Sequence, residues 1–163
     1  MARPANSDES FGTMDDTDRR LLRLLQRDGR MSNVELAKQA NLSQAATSDR
    51  IRRLQRDGVI EGYSVRLNPI RLDRALLVFV EVTLDRTSTT VFDDFAAAVR
   101  RLPEIMECHM LAGGFDYLIK VRVRDMAAYR RFLGESLVTL PGIRQTHTYT
   151  VMEEVKSTTD LPI

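Results

Sequence analysis

Ser32-Asn33-Val34-Glu35-Leu36-Ala37-Lys38-Gln39-Ala40-Asn41-Leu42-Ser43-Gln44-Ala45-Ala46-Thr47-Ser48-Asp49-Arg50-Ile51-Arg52-Arg53-Leu54 is the stretch on which the reading of this chain turns. Ser32 to Glu35 forms an S-x-x-E capping box, in which the serine accepts the amide three residues on and the glutamate returns to the serine amide. It opens a helix over 33–40 that buries Val34, Leu36 and Ala37 to differing degrees. Asn41 and Leu42 then turn the chain, and Ser43 caps another helix that runs to Asp57, where Gly58 stops it. Two short helices joined by so tight a turn have the geometry of a helix-turn-helix.

In that motif the second helix enters the major groove of duplex DNA, its N-terminal half reading base edges. Thr47, Ile51 and Leu54 share the face that packs inward, while Gln44, Ser48 and Arg52 recur at i, i+4, i+8 on another, with Ala45, Asp49 and Arg53 beside them. Glutamine suits adenine, arginine suits guanine or phosphate, and an alanine can meet a thymine methyl. The candidate DNA-contacting residues are Ser32, Asn33, Ser43, Gln44, Ala45, Thr47, Ser48, Arg50, Arg52 and Arg53. The competing reading is a plain three-helix bundle with a solvated polar face.

Outward from this core, Asp16 to Asp28 carries Leu21, Leu22, Leu24 and Leu25 on one stripe before Gly29, which predicts a preceding helix. After Gly58, residues 59–65 alternate like a short strand or wing. The first unit therefore spans 14–64, behind a polar tail over 1–13 and ahead of a linker over 65–74.

From residue 75 the pattern changes. Residues 75–83 read as a strand, 89–102 as a helix whose buried stripe is Val91, Phe92, Phe95, Ala96 and Val99, and Pro103 breaks it. Strands over 104–112 and 115–124 meet at Gly113-Gly114, glycines that permit the positive φ of a tight hairpin. Asp125 caps a helix to about Leu140, Pro141-Gly142 ends it, and a last strand runs from Ile143 to Glu154. The fold class is α+β: a winged helix-turn-helix followed, over 75–156, by a ferredoxin-like βαββαβ domain, with a frayed tail over 157–163. Leu76 through Val80 are all apolar, although two helices cover only one face of a four-stranded sheet. The other face is expected to pack on a second copy, and a homodimer suits the two half-sites that a helix-turn-helix commonly reads.

Net charge is +1 overall, but residues 16–64 hold ten basic and seven acidic side chains, a mild excess of +3 in the segment that would meet phosphate. No apolar run is long enough for a membrane span, and no secretory signal opens the chain. The single cysteine, Cys108, fits a reducing cytoplasm. An enzyme would need a nucleophile, an acid–base pair or a metal site; Cys108 and His109 point to opposite faces of one strand, and His147 has no partner at ligand spacing. No catalytic residue, metal site or cofactor is expected.

Taken together, Asp15–Leu25, Gln26–Leu36, Arg50–Leu54, Gly58–Tyr63, Leu76–Val80, Glu107-Cys108-His109, Gly113–Tyr117, Leu140-Pro141-Gly142 and Met152–Lys156 resemble, in order and spacing, the Lrp/AsnC or feast/famine regulators, over 14–156. The likeness is greatest to the leucine-responsive branch and its proline-responsive relatives. The resemblance implies a cytoplasmic, nucleoid-associated transcription regulator that binds double-stranded DNA as dimers associating further, often into octamers. It also implies a RAM-type second domain that binds a small amino acid between dimers, leucine first and proline or another aliphatic amino acid second. The matching effector positions are Gly113, Gly114, Phe115, Asp116, Tyr117, Met126, Tyr149, Thr150 and Val151. Gly114 stands where many relatives carry an acid, and Gln44–Ser48 departs from a proline-containing stretch, so effector and operator are expected to be this chain's own.

Overall fold

The computed structural model describes residues 14–85 and 88–163; the expected tail over 1–13 lies outside them. The chain forms two compact units, residues up to Arg66 together with Thr158–Ile163, and Leu67–Ser157.

The first unit holds α1 (Asp16–Arg27), α2 (Asn33–Ala40) and α3 (Gln44–Arg56). Each helix begins where a side-chain oxygen can accept an otherwise unpaired amide. Ser32 Oγ accepts the Glu35 N–H at 3.2 Å, and Ser43 Oγ the Ala46 N–H at 3.2 Å. The reciprocal half expected of Glu35 is taken elsewhere, because its carboxylate accepts the amide of Gln39 one turn on, at 2.7 Å. The complete capping box lies instead on α1, where Asp15 accepts the Asp18 N–H at 2.7 Å and Asp18 the Asp15 N–H at 3.2 Å. Leu21, Leu36 and Ala40 form the core, with Leu24, Leu25, Met31, Leu42 and Ile51 around them, whereas Val34 is exposed. α3 closes at Gly58, φ +72°, with the amides of Val59 and Ile60 turning back to the Leu54 carbonyl at 2.9 and 3.0 Å.

Two expectations fail in this unit. Residues 59–65 form no strand: alternation supplies two faces, but a strand needs a ladder partner, and Tyr63 and Val65 stay exposed. The tail beyond Lys156 is not frayed throughout. The side chain of Gln26 pairs with the main chain of Leu161 in both directions, at 2.6 and 3.1 Å, and Arg23 Nε donates to the Ile163 main-chain oxygen at 2.5 Å.

The second unit contains β1 (Leu76–Leu84), α4 (Thr89–Val99), β2 (Ile105–Met110), β3 (Tyr117–Val123), α5 (Met126–Glu135) and β4 (Ile143–Thr150). The sheet order is β2-β3-β1-β4 and every pair is antiparallel, as the βαββαβ reading requires. Val78, Val80 and Val82 lie opposite Val121, Ile119 and Tyr117, and all six are buried against Phe95, Val99, Phe132 and Leu137. Full burial of such a side chain contributes about 1.5–3 kcal/mol, so this alternating stripe dominates the unit's stability. Ser88 caps α4 and Asp125 caps α5 through the amides of Val91 and Ala128.

Several bounds move inward. α5 leaves helical space at Ser136, φ −123°, so that Leu137 can enter the core in a 3-10 turn over Leu137–Thr139. β4 stops at Thr150, opposite Val78, and the Val151 amide makes one further bond to the Leu77 carbonyl at 3.0 Å. The β2–β3 connection is not the tight glycine hairpin expected. It spans Leu111–Asp116, is closed by the Leu111 N–H on the Asp116 carbonyl at 2.9 Å, and neither Gly113 nor Gly114 has positive φ. No helix among the described residues is long and apolar enough to cross a membrane.

Candidate functional site

On α3, Gln44, Ala45, Asp49 and Arg52 are exposed and Ser48 is half-buried, so the i, i+4, i+8 line is presented to solvent. Arg52 and Asp49 are 3.7 Å apart and each 76% exposed, a contact too solvated to hold Arg52 in one pose. Thr47 does not belong to this face. It is wholly buried, its hydroxyl donating to the Ser43 carbonyl at 3.0 Å, and cannot reach a base edge. Asn33 braces the motif, Nδ2 donating to the Gln44 carbonyl at 2.9 Å and tying the start of α2 to the start of α3. Ser32 and Ser43 are occupied as helix caps while remaining exposed at two helix N-termini.

Arg50 and Arg53 are held from within. Arg50 Nη1 lies 2.7 Å from Asp15 Oδ2 and 2.9 Å from Asp18 Oδ1, and Arg53 Nη2 lies 2.5 Å from Asp18 Oδ2. Asp18 has no solvent exposure. A buried carboxylate stripped of its cation typically costs about 3–5 kcal/mol, so these ion pairs belong to the fold as well as to the surface. The amide of Asp18, then the Arg50 guanidinium, hold the Asp15 carboxyl below its ordinary pKa; Asp15 first and Asp18 second raise that of Arg50. Asp18 was missed in reading the sequence, although the signal was there: it occupies the i position of an i, i+3, i+4, i+7 stripe completed by Leu21, Leu22 and Leu25. A charge on an apolar stripe needs a partner.

In the second unit the Leu111–Asp116 turn is pinned at one end. Asp116 Oδ2 accepts the Leu84 N–H at 2.7 Å, and the Asp116 amide donates to the Val82 carbonyl at 3.0 Å. Gly113 and Gly114 are exposed, and a Cβ built on either would meet nothing within 4 Å. Phe115 is half-buried; Tyr117 is buried, its ring 4.6 Å from that of Phe95 and 6.1 Å from that of Phe92, so it serves the core. Met126 and Tyr149 are both half-exposed, at 52% and 51%, Thr150 is exposed and Val151 half-buried. A hydrogen bond to the Glu81 carboxylate, more than desolvation, holds the Tyr149 phenol above its ordinary pKa.

These expected effector positions fall into two groups within one chain. Tyr117 pairs with Val82 near one end of β1, whereas Tyr149 and Thr150 pair with Phe79 and Val78 near the other, the end at which β3 runs into α5 and Met126. At roughly 3.3 Å per strand residue, β3 holds the turn and Met126 on the order of 20 Å apart. On the sheet face turned from the helices, Leu77 and Phe79 lie near Tyr149 and Leu118 lies opposite Glu81, with the Lys120–Glu107 and Arg122–Glu154 pairs, each at 2.8 Å, on the same face. Cys108, opposite Ile119, faces the helices, and burial pushes its thiol up to about 11, far from a nucleophilic thiolate at neutral pH. His109 lies on the other face, against Glu107 at 3.4 Å.

Comparison with known proteins matches both units. Residues 14–61 match the family described as winged helix-turn-helix DNA-binding, and residues 77–161 the Lrp/AsnC ligand binding domain. The leucine-responsive regulatory proteins of Salmonella typhimurium and Escherichia coli K12 are each 55% identical over 150 residues, 92% of this chain and 92% of theirs. Among solved structures, a Neisseria meningitidis transcriptional regulator in complex with L-methionine superposes with a TM-score of 0.88 at 35% identity, covering 92% of this chain and 97% of that one. The M. tuberculosis feast or famine regulatory protein complexed with L-methionine gives 0.83 at 33%, covering 91% and 99%. With its two units matched in order and 92% of its length aligned at 55% identity, the chain belongs to the Lrp/AsnC family of DNA-binding transcription regulators.

Proposed function

We propose that this regulator reads specific operators through α3, and that a small amino acid bound at the Leu111–Asp116 turn controls its assembly and DNA binding. The observation that carries the ligand half is Gly113-Gly114: neither glycine has positive φ and neither is crowded, so the chain's own fold has no need of them. Bare backbone in an exposed turn suits the close approach of a ligand carboxylate to main-chain N–H groups. Asp116 commits one oxygen to Leu84 and has the other for an α-ammonium. Because Met126, Tyr149, Thr150 and Val151 stand at the far end of the sheet, a second copy supplies that half of the pocket. Leucine is the first candidate and proline or another aliphatic amino acid the second; the relatives named leucine-responsive and the two methionine complexes support an apolar side chain.

The DNA-reading set is Gln44, Ala45, Ser48 and Arg52, with Ser32, Asn33 and Ser43 toward phosphate at the starts of α2 and α3. A homodimer through the sheet face bearing Leu77, Phe79, Leu118 and Tyr149 presents two reading helices, and dimers associate onward to an octamer. The protein works by binding, without a cofactor, in the cytoplasm on the nucleoid. Titrating the full chain with a duplex selected from a randomised pool, at two salt concentrations, tests the first half. Log affinity should fall with log salt in proportion to the phosphates contacted, and absence of binding at low salt sinks it. A thermal-shift series with the twenty amino acids tests the second half, and a flat series sinks it.

A further inference from the structure

From the buried carboxylate of Asp18 and its two arginines we infer that Asp18 is a positioning residue for DNA reading: it sets the rotation of α3 about its axis and withdraws Arg50 and Arg53 from the DNA. This rests on α3 being the reading helix. At 100° per residue, the Gln44–Ser48–Arg52 line is centred about 140° from Arg53 and about 160° from Arg50. The two arginines therefore point away from the face that would meet base edges, toward α1, where Asp18 and Asp15 receive them. The receiving end is rigid: Asp15 and Asp18 cap the same helix and bond each other's amides, and Asp18 stands one turn before the buried Leu21 and Leu22.

Two bonds from one helix onto a fully buried anion define an angle, where a single bond would leave α3 free to roll. Of the four arginines between Arg50 and Arg56, two are thus neutralised inside the unit, and Arg52 is the one on the reading line. Rolling α3 would exchange readers for arginines at the groove, raising attraction to any phosphate while blurring discrimination among bases. The arrangement favours specificity over bulk affinity.

The test uses the full chain, a duplex selected by the wild type from a randomised pool, and a scrambled duplex of the same length and composition. D18N keeps the shape of the side chain and removes its charge. Affinity for the selected duplex should fall about tenfold or more while that for the scrambled duplex holds or tightens up to about threefold, since the unit gains a positive charge. A ratio of the two affinities within about twofold of wild type overturns the inference, as does a parallel loss on both duplexes. Should D18N not fold, R50Q and R53Q decide. Each should narrow the ratio while leaving the salt slope as in wild type; a slope shallower by about 0.9 for either means that arginine contacts phosphate, and the inference fails. Wild type that selects no sequence at all would instead count against α3 as the reading helix.

Discussion

The Cβ that Gly142 lacks would stand 2.7 Å from Val91 Cγ1, at a backbone φ of +74°. This glycine delivers the chain into β4, and its carbonyl accepts the Asp85 N–H at 2.7 Å, so it has little room to move. Gly58 has nearly the same φ, +72°, with nothing within 4 Å of a built Cβ. Left-handed backbone costs a side chain about 1–2 kcal/mol, and forcing a methyl into a packed site about 1–3 more. G142A should therefore lose roughly 3 kcal/mol and G58A about 1 kcal/mol in urea unfolding. Equal losses would mean that Val91 is not what selects glycine at 142.

Acid should destabilise the fold in a window to which two caps contribute. The carboxyls of Asp15 and Asp125 lie below their ordinary pKa, held there first by the amides of Asp18 and Ala128, then by Arg50 and Arg124. A depressed carboxylate stabilises the folded state above its unfolded pKa and ceases to as pH falls through the folded value. The thermal midpoint should be level near pH 6 and fall below about pH 4. D15N and D125N, whose amides cap without titrating, should flatten that fall; an unchanged slope in both would assign it to other acids.

Substitutions at Gly113 and Gly114 should separate folding from the proposed sensing. G113A and G114A meet no neighbour and no positive φ, so stability should stay within about 0.5 kcal/mol. Their amino-acid-induced thermal shift should vanish, because the added methyl stands where a ligand would approach. D116A should differ, losing the shift and also about 1.5–3 kcal/mol through the Leu84 amide. If G113A and G114A retain a full shift, the turn is not the ligand site.

Local patterns were legible wherever one element suffices to define them. Ser32, Ser43 and Asp125 stand at helix starts because a short oxygen-bearing side chain is the nearest partner for an unpaired amide. Residues 75–83 read as a strand because a local run of apolar and β-branched residues is enough to suggest one, although it did not say that Val78, Val80 and Val82 are the ones buried against the helices. The segment 59–65 misled for the same reason, since alternation says nothing of whether a second strand comes alongside. Tyr117, read as a contact, proved to be core because its ring packs against Phe95 and Phe92, and Thr47, read as a contact although it shares the inward face, is wholly buried.

The residues alone determined the two units, the order of their elements, the helix starts and the line Gln44–Ser48–Arg52, all consequences of periods of 3.6 and 2 and of capping chemistry. Tertiary structure alone decided which charges those elements have free. Asp18 meets Arg50 and Arg53 across 32 and 35 residues, and Gln26 meets Leu161 across 135. It likewise decided that the expected effector positions of one chain lie at two ends of its sheet. Such relations depend on how helices and strands pack against one another, and no local period encodes them.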